Sequence, residues 1–140
     1  MSFPDPAIQT ESKLVAADTS FTINFTQNTG DRIVISIFLP PAPGAQAIST
    51  LSDGFADRSN RTGLLHIIDK ILDGSEGGTV VVTFGSATKA CAVANNYTAG
   101  TFDPNTDIEL SSVTTGSEGT DGTVPDSGNL APSWGAEDTG

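Results

Sequence analysis

Few residues in this chain could carry chemistry. There is one histidine, His66, and one cysteine, Cys91. Imidazole moves protons near neutral pH, and a thiolate is a nucleophile and a metal ligand. Both residues stand in apolar surroundings. Leu65 and Ile67 flank His66, and Cys91 lies in the run Ala90-Cys91-Ala92-Val93-Ala94. Such settings predict a packed or hydrogen-bonded imidazole and a small buried thiol. A single cysteine excludes an intrachain disulfide and a cysteine-built zinc site. Gly85-Ser86-Ala87-Thr88-Lys89 superficially resembles the end of a phosphate loop, but it lacks the glycine before the lysine. Neither a Gly-x-Ser-x-Gly elbow nor a Gly-x-Gly-x-x-Gly turn occurs, and no carboxylate pair has a recognisable glycosidase setting. The chain is therefore not expected to be an enzyme.

Two acidic segments could bind something. Asp103-Pro104-Asn105-Thr106-Asp107-Ile108-Glu109 places oxygen ligands at alternating positions, as a calcium loop does. Ile108 stands where such loops carry glycine, and Glu109 is not at the usual distance for the last ligand. A solvated acidic turn is the preferred reading. No catalytic, cofactor-binding or metal residue is assigned, and Ca2+ is the one ion considered. Asp53, Asp57 and Arg58 could contact a partner, and internal ion pairing in an exposed loop explains them equally well.

Charge narrows the partners. Six basic and 17 acidic side chains give a formal net charge of −11 over 140 residues. All the lysines and arginines fall in residues 1–90, and residues 91–140 contain none. Nucleic acid and anionic membranes both demand basic side chains, so neither is an expected partner. A basic protein surface or bound cations remain compatible with the acidity, which also serves solubility. The N-terminus has no basic start or apolar stretch, so no signal peptide is expected, and no segment approaches membrane-spanning length.

The elements that must position these residues read as strands. Residues 20–26 alternate, with Phe21, Ile23 and Phe25 on one face and Thr22, Asn24 and Thr26 on the other. Residues 32–39 are apolar on both faces, as in a central strand, and follow the turn Asn28-Thr29-Gly30-Asp31. Pro40-Pro41-Ala42-Pro43-Gly44 ends that strand. A short strand is expected at 47–51 and a polar loop at 52–63. Residues 64–72 fit helical spacing, yet they are short, β-branched and bounded by Gly63 and Asp73-Gly74, so pattern alone leaves helix and strand open. Residues 79–84 and 89–98 read as two further strands, the second with Cys91, Val93 and Tyr97 on one face. Residues 107–113 read as a weaker one.

These signals predict an all-β protein: a single antiparallel β-sandwich, jelly-roll-like, over residues 12–113. Its expected core is Phe21, Ile23, Phe25, Ile33, Ile35, Val80, Val82 and Val93. Residues 1–11 are expected to form an extended arm. Residues 114–140 form a Gly/Ser/Thr/Asp-rich tail that packs on the domain or on a neighbouring subunit. Phe3 in the arm and Leu130 and Trp134 in the tail are the expected interface anchors.

The order of these segments resembles a family of small virion-associated proteins of tailed bacteriophages. The resemblance runs through Gly30-Asp31-Arg32-Ile33-Val34, Pro40-Pro41 and Ile71-Leu72-Asp73-Gly74-Ser75-Glu76-Gly77. It ends on Pro125-Asp126 and Leu130-Ala131-Pro132-Ser133-Trp134-Gly135-Ala136-Glu137-Asp138-Thr139, covering about residues 19–139. It implies a jelly-roll-like module displayed on a virion and favours strand for residues 64–72. Family members continue past the Trp-Gly segment with an apolar strand, whereas this sequence stops at Gly140, so either the chain is cut short or something else, such as a neighbouring subunit, is expected to supply that strand. The implied function is structural: a capsid decoration or cement subunit, or a fibre or tail subunit. It would be made in the host cytoplasm and assembled with the major capsid protein and with its own copies. A Ser/Thr/Gly-rich acidic β protein without an export signal suits a virus particle, which leaves the cell by lysis. The alternative is a carbohydrate-binding adhesion module, for which Tyr97 and Trp134 are the only aromatic platforms expected.

Overall fold

A computed structural model of the chain describes residues 6–41, 46–59 and 63–105. It contains six strands: β1 Ile8–Asn24, β2 Arg32–Phe38, β3 Ile48–Leu51, β4 Ala56–Asp57, β5 Leu65–Ile71 and β6 Thr79–Tyr97. All are antiparallel and join one sheet in the order β1-β6-β2-β5-β4, with β3 also paired to β6. The all-β antiparallel expectation therefore holds. Where two sheets were expected, the pairing links every strand into one.

That sheet doubles over. β6 has 19 residues and β1 has 17. The C-terminal half of β6 runs between the N-terminal half of β1 and β2, and its N-terminal half runs between the C-terminal half of β1 and β3. The Asn24 amide donates to Ser12 Oγ at 2.9 Å although the two residues lie 12 positions apart in the same strand. Twelve extended residues would span about 40 Å, so β1 must fold back on itself. Register shifts mark the corner. From Leu14↔Ala90 to Asp18↔Thr88, β1 gains residues, and from there to Ser20↔Thr83, β6 gains them. Bulges of this kind bend and twist a ribbon. Their net offset is one residue, which reverses the inward face of β1. Ser12 faces inward before the corner, and Phe21 and Ile23 after it.

The two halves enclose one core. Phe21, Ile23, Phe25, Ile33, Ile35, Val80 and Val82 are buried as expected, joined by Ile37, Ile68, Leu72 and Phe84. Val93 is a correction. It is half-buried, and Cys91 is exposed. β6 keeps even positions inward on both sides of its bend at Ser86, so Ala90, Ala92 and Ala94 face the core while Cys91, Val93 and Tyr97 share the other side. Isoleucines of β2 stand beside these alanines in the cross-strand pairs Ile35–Ala94 and Ile37–Ala92.

Three further differences follow from the pairing. Residues 79–84 and 89–98 form one continuous strand, with exposed Gly85, Ser86 and Ala87 at the bend. Residues 8–11, expected in the arm, begin β1 because they pair with Val93–Asn96 of β6. The loop at 52–63 contains β4, paired to β5. Of residues 64–72, Leu65–Ile71 form a strand, in which Ile68 and His66 are the cross-strand neighbours of Ile35 and Ile37 of β2. The arm residues 1–5 with Phe3, the expected strand at 107–113, and the tail with Leu130 and Trp134 lie outside the described residues.

Candidate functional site

Most polar chemistry in the body is bound up internally. His66 is fully buried. Its Nε2–H donates to the Gln46 carbonyl at 2.9 Å, and Nδ1 faces Ser59 Oγ at 3.1 Å. Asp57 Oδ2 lies 3.8 Å from the same Nδ1. A serine, a histidine and a carboxylate thus meet, but not as a relay. The carboxylate stands on the serine side of the ring and accepts the Ser59 hydroxyl at 2.5 Å and the Ser59 amide at 2.9 Å. With no exposed edge, the imidazole cannot reach a substrate. It ties β5 to the loop before β3, as a packed, hydrogen-bonded histidine should.

Asp69, 2% exposed, receives Arg32 Nε at 3.1 Å on one oxygen and Arg58 Nε at 2.5 Å on the other. The Arg32 guanidinium also lies 5.5 Å from the Phe102 ring centroid, a cation–π distance. Arg58 is thus engaged inside the chain. Asp57 caps Ser59, and the Asp53 carbonyl accepts Lys70 Nζ at 2.7 Å. In the 53–58 loop Arg58 is thus ion-paired and Asp57 hydrogen-bonded internally, while the Asp53 carboxylate accepts the neighbouring Ser52 hydroxyl. Asp31 is buried beside this belt and accepts Asn96 Nδ2 at 2.9 Å and the Ala99 amide at 2.9 Å.

The turn after β5 is organised by a fully buried carboxylate. Glu76 accepts Lys70 Nζ at 2.6 Å, Gln27 Nε2 at 2.7 Å, and the Asp73 and Gly74 amides at 3.0 and 3.1 Å. Burial alone would raise its pKa. Those hydrogen bonds outweigh it and hold the carboxyl far below the usual range. Burial likewise pulls Lys70 down, and its bonds to Glu76 and Asp73 raise it above 10.5. Asp103 Oδ1 accepts the Asn105 amide at 2.9 Å in a local turn. Asp107 and Glu109 lie outside the described residues, as does Trp134, and Tyr97 is half-buried at the end of β6.

The corner of the sheet is different. A groove of about 340 Å³ opens there, lined by Leu14, Val15, Phe38, Leu39, Pro40 and Ala90. Lys13, Lys89 and Cys91 complete it. The register explains the site, because Cys91 of β6 lies between Lys13 of β1 and Phe38 of β2 in one cross-strand row. Val15 is 77% exposed and Phe38 44%. Arg32, Arg58 and Lys70 are committed to carboxylates. Among the described residues Lys13 meets only Glu11, at 3.9 Å and with both side chains about two-thirds exposed or more, a weak surface pair. Lys89 has no carboxylate in ion-pairing range among the described residues. The two outward-facing lysines of the described body therefore flank its apolar groove.

Sequence reasoning missed this site. Its signals were the break in alternation at Val15-Ala16-Ala17 and the surplus Phe38 on an apolar strand, which meet only once β6 is known to be continuous. Comparison with family models, curated proteins and solved structures yields no match.

Proposed function

We propose that this chain is a structural subunit of a tailed-bacteriophage virion, a capsid decoration or cement protein that works through protein–protein contacts. The observation behind the contact role is the contrast within the body. Its histidine, Arg32, Arg58 and the buried carboxylates are used in holding the fold, whereas an apolar groove with two exposed lysines is presented to solvent. Apolar side chains rimmed by charge are the usual anatomy of a protein interface. The viral setting rests on the resemblance of the ordered segments to phage proteins and on an acidic, Ser/Thr-rich composition. Its partners on this reading are the major capsid protein and further copies of itself.

The test is to locate the protein on purified particles. Stoichiometric recovery with capsid protein, and density on the capsid lattice in a reconstruction, is the expected result. Absence from purified particles would sink the proposal.

A further inference from the structure

We propose that the groove between Lys13 and Lys89 receives residues 130–138 of a neighbouring copy of this chain, with Trp134 as the apolar anchor. This rests on the reading of the protein as an assembling subunit and names the contact it makes. Two observations favour that occupant. The first is charge. The groove carries Lys13, held in a weak surface pair with Glu11, and Lys89, with no carboxylate in range among the described residues, and Glu137 and Asp138 follow Trp134 in a stretch where no residue after Lys89 is basic. The second is apolar fit. Leu14, Phe38, Leu39 and Ala90 form a surface on which an indole, burying on the order of 200 Å², can anchor.

A groove that receives a segment of another copy makes a heterologous contact, which suits a lattice.

The chain supplies its own probes, since Cys91 is its sole cysteine and Trp134 its sole tryptophan. Full-length protein retaining Cys91 is mixed with full-length Cys91→Ser/Ser133→Cys protein under mild oxidation. The expected product is a disulfide-linked heterodimer, reduced at least tenfold by Trp134→Ala on the second chain or by Lys13→Glu/Lys89→Glu on the first. Both lysines are exposed, so circular dichroism should be unchanged in that variant, while Trp134 emission shifts to the red. Heterodimer yield that is insensitive to these substitutions overturns the proposal. So does a Ser133→Cys single variant that cross-links only within one chain. Cross-linking as expected by a protein absent from particles would remove the virion role and leave the groove assignment. Protein found on particles but without the cross-link would do the reverse.

Discussion

The two ends of β2 use charge in opposite ways. At the Arg32 end, Arg32, Asp69 and Arg58 form a buried belt, and Asp31 satisfies Asn96 and the Ala99 amide beside it. At the Phe38 end, Lys13 and Lys89 face solvent next to exposed Val15 and Phe38. The belt lies where β4 and β5 extend the sheet and exclude water, so each ion needs a fixed partner. The groove lies where bulges interrupt the β1–β6 ladder, and packing there is incomplete. One end therefore holds the fold, and the other is free to meet something else.

The largest effect should come from breaking the belt. Asp69→Ala leaves two guanidinium groups facing a side chain that is 1% exposed, and removing one member of a buried ion pair costs about 3–5 kcal/mol. Denaturant unfolding should show the loss as a lower midpoint. A loss below 1 kcal/mol would mean that the belt is no more structural than the groove.

Next comes Glu76→Gln, with an expected loss of about 2 kcal/mol from the missing charge against Lys70 and the mismatch with the Asp73 and Gly74 amides. Glu76 has a depressed native pKa, so its contribution is fully present above its ordinary value of 4.5 and is lost as pH falls towards the lower native value. Unfolding between pH 5 and 2 should thus depend less steeply on pH in the variant. An unchanged slope would show that this carboxylate does not drive acid unfolding. Gly78→Ala should cost about 1–2 kcal/mol. Its φ is +78°, and a Cβ would come within 3.2 Å of the Phe25 carbonyl oxygen.

The paired end was partly legible in the sequence, and the groove was not. Alternation at Phe21, Ile23, Phe25, Val80 and Val82 reports burial directly, because a strand shows one face to the core. Gly74, Gly77 and Gly78 mark a turn that uses positive φ at each of them. Cys91 and Val93 misled because the segment 89–98 has small residues on its inner face and larger ones outside. Apolar pattern then points the wrong way unless the phase is carried through from Val80. Pairings such as Arg32 with Asp69 lie 37 positions apart and follow from register alone. The corner depends on bulges, which alter the count of residues in two distant strands at once.

The smallest effect on stability should come from the groove. Val15→Ser replaces a side chain that is 77% exposed, so little apolar area returns to water, and surface changes of this kind stay within about 0.5 kcal/mol. Combining it with Lys89→Glu removes an apolar contact and reverses one charge at the rim, and neither change touches a buried partner among the described residues. The unfolding midpoint should therefore stay near that of the unaltered protein while association weakens in sedimentation or light scattering. A destabilised double variant would place Val15 in the packing that holds β1 at its corner, and the contrast between the two ends of β2 would fail. Unchanged stability with unchanged association would instead leave the fold description intact and move the contact surface elsewhere. Loss of association at constant stability is the outcome that separates a docking surface from a core, because only a docking surface can lose its contacts without weakening the monomer.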